Sequence, residues 1–183
     1  VPGVEVVVSG AEVMPFPDAA FDVTLSQLVV NFIGDAEAGV REMVRVTRPG
    51  GVIAACVWDY AGAMTLLRAF WDAAHDVAPA RAAQHDEGST MPWCRDGELA
   101  ELWDRAGLGM VHSAALRVRA SYTGFEDLWA PFPQGVGPAG AFCAALGEGD
   151  RAALHDAFRR RLGVDDRPFD LTARAWAVAG TVA

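Results

Sequence analysis

The chain has 183 residues, 52% of them apolar, enough to build a domain with a substantial core. It contains no lysine and carries a formal charge of −9, which excludes the basic face that nucleic-acid binding needs and leaves small molecules as the expected partners. Cys56, Cys94 and Cys143 lie too far apart for a Cys-x-x-Cys metal or redox pair, no apolar run approaches the ~20 residues of a membrane span, and a reducing cytoplasm fits.

Val4-Glu5-Val6-Val7-Val8 is a β-branched run that predicts a strand buried on both faces, closed by Ser9-Gly10. Pro15 and Pro17 forbid helix in the next segment, which should be an ordered loop. Phe21 to Ser26 reads as a second buried strand. Asp35 is placed to cap a helix in which Val40, Met43, Val44 and Thr47 recur at i, i+3, i+4 and i+7, and Pro49-Gly50-Gly51 stops it. Val52 to Trp58 is another apolar run of strand length, so the order strand, helix, strand predicts a parallel sheet and an α/β fold.

Met64 to His75 presents Leu66, Leu67, Phe70, Trp71 and Ala74 on one helical face, and Ala78 to Asp96, with two prolines and several charges, reads as loop. A helix opening at Asp96 groups Leu99, Leu102, Trp103 and Ala106 and ends at Gly107. From Met110 the period is two, through His112, Ala114, Leu116, Val118, Ala120 and Tyr122, which predicts a strand with one buried face and with Arg117 and Arg119 on the other. Phe169 to Gly180 is the last strand. Residues 124–166 between these two strands form an insertion of short helices, Phe125 to Trp129, Gly140 to Leu146 and Asp150 to Leu162, parted by the turns from Pro131 to Pro138.

The run from Ser9-Gly10-Ala11-Glu12 through Met14-Pro15-Phe16-Pro17-Asp18 to Phe21-Asp22, together with Arg45-Val46-Thr47-Arg48-Pro49-Gly50-Gly51, resembles the middle of a class I S-adenosylmethionine-dependent methyltransferase that acts on small molecules. The resemblance implies the C-terminal part of a Rossmann-like sheet, strands three to seven of that family, with Val4 to Val8 as the third. It divides the chain into the second half of a cofactor-binding core (1–60), helices, loop and sixth strand (61–123), a helical lid insertion (124–166) and the seventh strand (167–183). The family's first two strands and its Gly-rich loop, which holds the methionine end of the cofactor, have no counterpart here. A fragment inactive by itself is therefore expected, with an open edge on Phe21 to Ser26 that invites pairing with another chain.

The same resemblance implies that Gly10, Ala11 and Glu12 lie beside the adenine of S-adenosylmethionine. Most relatives have Gly-Asp where this chain has Ser9-Gly10, so the backbone around Ala11 and the Glu12 side chain are left to read the base; Gly10 as a plain turn residue is the alternative. Ser26 and Gln27 follow the next strand at its carboxyl end, where open α/β sheets bind ligands, and Trp58 and Asp59 end the strand after that on the acceptor side. Asp59 is a candidate to orient or deprotonate an acceptor, or equally to cap the following helix. Among His75, His85 and His155, His85 in Gln84-His85-Asp86-Glu87 is the best placed base; His112 falls on the apolar side of its strand and reads as core. Trp129 and Phe132, inside the insertion, are candidates for an apolar lid over the acceptor. No metal is expected. The competing reading is a binding or regulatory protein that keeps the fold without turnover; a nucleotide-binding oxidoreductase shares the architecture but not the loop sequence.

Overall fold

A computed structural model describes residues 3–183. The chain divides into two units, the first formed by residues 1–57, 96–114 and 176–183, the second by residues 58–95 and 115–175.

Four strands, β1 (Phe21–Gln27), β2 (Thr47–Trp58), β4 (Phe169–Thr181) and β3 (Gly109–Tyr122), stand side by side in the order β1-β2-β4-β3; residues 115–122 of β3 and 169–175 of β4 are counted with the second unit. β1 and β2 are parallel, as the strand-helix-strand pattern predicts. Gly50 and Gly51 exchange backbone bonds with Val182, so β4 returns antiparallel alongside β2. The connecting helix α1 (Ala36–Val46) opens on Asp35, whose carboxylate accepts from Ala38 N at 2.8 Å, and buries Val40, Met43 and Val46. Trp103 of α5 (Glu98–Arg105) donates to Ile53 O at 3.2 Å, fixing that helix on β2.

The Pro-Gly-Gly signature has a mechanical cause. Pairing jumps from Phe21↔Thr47 to Val23↔Val52, so five steps of β2 lie against two of β1. Gly50 takes up the excess at φ +73°, and a Cβ on Gly51 would stand 2.8 Å from Asp22 O and 2.6 Å from the Thr47 methyl. Only glycine lets the two strands close at that point.

The second unit is helical: α2 (Thr65–Val77), α3 (Pro79–His85), α4 (Glu87–Thr90), α6 (Phe125–Trp129), α7 (Gly137–Ala144) and α8 (Glu148–Leu162) enclose an aromatic core. Phe70 lies at its centre, stacked on Phe132 at 4.6 Å and 6° and edge-on to Trp71, Phe142 and Phe158. The three short helices read from the insertion are all present.

Five expectations are corrected. Pro49-Gly50-Gly51 does not stop the helix: α1 ends at Val46, and Thr47 to Gly51 already belong to β2, which starts five residues before Val52. Val4 to Val8 is assigned to no strand and is exposed, Val6 to 83% and Val8 to 96%, because no strand among the described residues stands beside it. β1 is not buried on both faces: Phe21, Val23 and Leu25 alternate on one bare face, Leu25 at 72%. Ala78 to Asp96 is not simply loop, since Pro79 starts α3 at the one helical position where proline is favourable and Asp86 caps α4 through Gly88 N at 2.8 Å. β3 is a strand as read, but an outer one, exposed along most of its length, and His112 with it; period two shows which residues share a face, not whether anything covers it.

Candidate functional site

The sequence-predicted site residues fall in both units. In the first, Gly10-Ala11-Glu12 is a turn held against α1. Glu12 Oε1 accepts from Asp35 N at 3.4 Å, and Ala11 lies at ordinary packing distance from Gly39, whose close neighbour is the Ile33 side chain. The other carboxylate oxygen, Oε2, lies 3.3 Å from where a Gly10 Cβ would be, so an aspartate at that position would set two carboxylates against each other.

The loop that follows has no regular structure and is nevertheless fixed. Met14 N donates to Glu42 Oε2 at 2.8 Å, Arg45 Nη2 donates to Met14 O at 3.0 Å, and Arg45 Nη1 donates to Phe16 O at 2.8 Å and Asp18 Oδ1 at 2.7 Å. Arg45 O accepts from Ala19 N at 2.9 Å. Glu42 and Arg45 also bind each other in two bonds of 2.8 Å, which hold the Glu42 carboxyl down to about 2. Sequence reading missed this pair, although its signal is plain: a Glu-x-x-Arg spacing at the end of the helix that leads into Pro-Gly-Gly puts both heads on one helical face.

Ser26 and Gln27 sit at the carboxyl end of β1, opposite Ala55 and Cys56 of β2. Leu28 N closes the ladder on Cys56 O at 2.8 Å and takes φ 59°, a left-handed conformation that costs a leucine on the order of 1 kcal/mol. The chain thus turns sharply away and leaves the half-buried Ser26 and the exposed Gln27 at the strand's mouth.

In the second unit Asp59 is buried, 3% exposed, and fully engaged. Its Oδ2 accepts from Arg174 Nη2 at 2.6 Å, Arg174 Nε at 2.9 Å and Ala63 N at 2.7 Å. It shapes the turn between β2 and α2 and does not cap the helix, whose N-cap is Met64. Trp58 beside it is half-buried. Arg68 reinforces the same turn from α2, reaching Tyr60 O at 3.4 Å while bound to both Asp86 oxygens at 2.8 Å.

His85 is exposed on the last turn of α3; its Nδ1 lies 2.9 Å from Arg81 O, and among the described residues it forms no ion pair with Asp59 or another acid. Trp129 and Phe132 are 8% and 5% exposed, with their rings packed on Phe70, Phe125 and Phe158 rather than presented as a free surface. A groove of about 300 Å³ beside Trp129 is lined by Glu148, Arg151, Ala152, His155 and Asp156. Its polar heads are mostly spent: Arg151 donates to Cys143 O, Ala144 O and Leu146 O at the end of α7, and His155 bridges Glu126 at 2.8 Å and Asp156 at 3.0 Å. Burial alone would lower the His155 pKa, but these two carboxylates outweigh it and raise it.

Comparison with known proteins bears on the first unit above all. Residues 1–55 match the family model described as a methyltransferase domain. A malonyl-[acyl-carrier protein] O-methyltransferase from Salmonella typhimurium is 30% identical over 117 residues, 55% of this chain and 45% of that protein. Its counterpart from Serratia marcescens is 55% identical over 42 residues, 23% of this chain and 16% of that protein. A demethylmenaquinone methyltransferase from Mycolicibacterium vanbaalenii is 44% identical over 43 residues, 24% of this chain and 19% of that protein. The chain thus spans from 16% to 45% of the length of these relatives. Among solved structures, a protein assigned as a type II methyltransferase from Anaeromyxobacter dehalogenans superposes with a TM-score of 0.63 at 21% identity, over 100% of this chain and 73% of its own. A SAM-dependent methyltransferase from Thermotoga maritima does so with a TM-score of 0.50 at 15% identity, over 99% of this chain and 65% of its own. These likenesses show the fold, the Rossmann-like α/β arrangement read from the sequence.

Proposed function

We propose that this chain is part of a class I S-adenosylmethionine-dependent methyltransferase and serves methyl transfer from S-adenosylmethionine to a small, apolar acceptor by in-line displacement, a reading supported by the methyltransferase-domain match over residues 1–55. The observation that carries the reading is a coincidence of position. The family match over residues 1–55 covers the same turn and loop that Glu42 and Arg45 fix without any regular secondary structure to account for it.

The residues present fit the adenosine side of the cofactor. Gly10 leaves the backbone open to close approach, Ala11 is small, and Glu12 keeps Oε2 clear of the bond that ties its other oxygen to α1. Ser26 and Gln27, at the carboxyl end of β1, are the side chains for the ribose and the transferring centre. When bound, the sulfonium supplies an already activated methyl group. The protein's contribution is then alignment and exclusion of water rather than covalent help. A base is needed only where the acceptor must lose a proton, and Asp59 and His85 are the candidates carried from the sequence. Of the two, Asp59 serves better as a positioning residue, since every bond it makes shapes the turn at the end of β2.

The relatives' names, for malonyl-[acyl-carrier protein] and for demethylmenaquinone, differ in acceptor and support the class of chemistry rather than one substrate. The charge of −9 argues against nucleic acid as acceptor, and no helix among the described residues is long and apolar enough to cross a membrane. Three free cysteines suit a cytoplasmic setting. The bare face and open edge of β1 favour pairing with another chain. A second, non-catalytic reading draws on Gly10, which brings no side chain to the adenine, and on Glu12, half committed to α1. Incubation with methyl-labelled S-adenosylmethionine and a panel of apolar hydroxyl, amine and carboxyl compounds separates the two. Label entering the acceptor in step with S-adenosylhomocysteine supports transfer; binding without product supports the alternative.

A further inference from the structure

We propose that Glu42 and Arg45 are positioning residues for the adenosine-side turn, holding the segment from Gly10 to Asp18 in its binding conformation through bonds that are separable from the stability of the helix bearing them. The inference rests on the reading of Gly10-Ala11-Glu12 as that turn.

The geometry divides the pair's work in two. Toward each other, Glu42 and Arg45 form an i, i+3 ion pair on α1, in the orientation that also suits the helix dipole, with the base in the last turn; reversing the charges costs the helix a small part of its stability. Toward the loop, the chemistry is one-directional. Met14 N needs an acceptor, which the carboxylate supplies at 2.8 Å; Met14 O and Phe16 O need donors, which the guanidinium supplies at 3.0 and 2.8 Å. Both backbone polar groups of Met14, its N–H and its C=O, are thus read by one ion pair. The prolines that follow, on either side of Phe16, make this necessary, since Pro15 and Pro17 have no N–H with which the loop could build its own ladder. A lysine at position 45 would carry the charge but not the planar fork that reaches two carbonyls, Asp18 and Glu42 together. The low Glu42 pKa, about 2, keeps the acceptor ionised through the physiological range.

The experiment compares the chain with Arg45→Ala, Arg45→Lys and the exchange of both residues, Glu42→Arg with Arg45→Glu. Hydrogen exchange is followed by NMR at Met14 and, as an internal reference, at Val40 and Met43 of α1, and S-adenosylhomocysteine affinity is measured by calorimetry. The exchange variant keeps an ion pair on α1 but turns both chemistries away from the loop, and its exchange at Val40 and Met43 reports any cost to the helix. Exchange at Met14 rises at least about tenfold in all three variants beyond any change at Val40 and Met43, and affinity falls about tenfold. Two results overturn the proposal: exchange at Met14 that is unaltered or that rises only together with α1, or a charge-exchanged variant that behaves as the parent. If the parent itself takes up no S-adenosylhomocysteine, the reading of the turn as a cofactor site fails, and the positioning role is decided by the exchange arm alone.

Discussion

Asp59 and Arg174 meet between the end of β2 and β4, with Arg174 Nη2 and Nε 2.6 and 2.9 Å from a single carboxylate oxygen. Asp59 is 3% exposed, and its backbone N also donates to Arg174 O at 3.0 Å, so side chain and main chain register the two strands at the same point. Removing one partner of a buried pair leaves the other charge uncompensated. Asp59→Ala should cost about 3 kcal/mol, and Asp59→Asn, which still accepts from Ala63 N and Arg174, about half of that. Urea midpoints read both. A loss below about 0.5 kcal/mol for the alanine variant would mean that the pair does not brace the turn.

Asp86 and Glu87 are adjacent carboxyls pushed in opposite directions. Burial raises the Glu87 pKa, its one bond from Trp71 Nε1 at 3.0 Å opposing this only in part; burial opposes ionisation of Asp86 too, but the Arg68 guanidinium, Gly88 N and His75 outweigh it and lower its pKa. For Glu87 the folded value lies above the unfolded one, so stability falls as pH rises from the ordinary carboxylate range until the folded pKa is passed. Glu87→Gln removes that slope. As pH rises above the ordinary carboxylate range the parent should lose stability relative to this variant, measured as the difference in urea midpoints; parallel curves would contradict it.

His155, raised by Glu126 and Asp156, works with the same sign for a different reason. Its contribution is complete below the unfolded histidine pKa and is lost as pH rises through the folded one. His155→Gln should therefore destabilise the helical unit at about pH 5 and much less at about pH 9. NMR titration of the ring should place its midpoint above that of a free histidine.

Phe132→Ala removes the ring stacked on Phe70 and should cost about 3 to 5 kcal/mol, whereas His85→Ala, at an exposed helix end, should stay within about 0.5 kcal/mol. A small effect at Phe132 would restore it as a mobile lid residue.

The contrast between Phe132 and Gly51 marks what was legible in the sequence. Gly51 belongs to a short signature that marked a break in the chain, while its part in closing β2 on β1 emerged only from the structure; the parallel pairing of the two strands was legible from the strand-helix-strand order. Asp35 as a cap and the three helices of the insertion were legible because each rests on contacts within a few residues. Phe132 and Trp129 carry no such local signal. Apolar rings within an insertion fit a lid and a core equally, and only the position of Phe70, some sixty residues earlier, decides. Burial of β3 and of Val4 to Val8 depends likewise on whether another element stands alongside, which periodicity does not encode. Arg174, which engages Asp59 from 115 residues away, was beyond any local pattern.

The central claim is that the turn at Gly10-Ala11-Glu12 and the mouth of β1 hold the adenosine side of S-adenosylmethionine. Amide shifts in a ¹⁵N-labelled chain titrated with S-adenosylmethionine test it most directly. Saturable shifts are expected at Gly10, Ala11, Glu12, Ser26 and Gln27, and adenosine should reproduce them. Saturation that leaves these five unmoved, or no saturable shift at all, would contradict it.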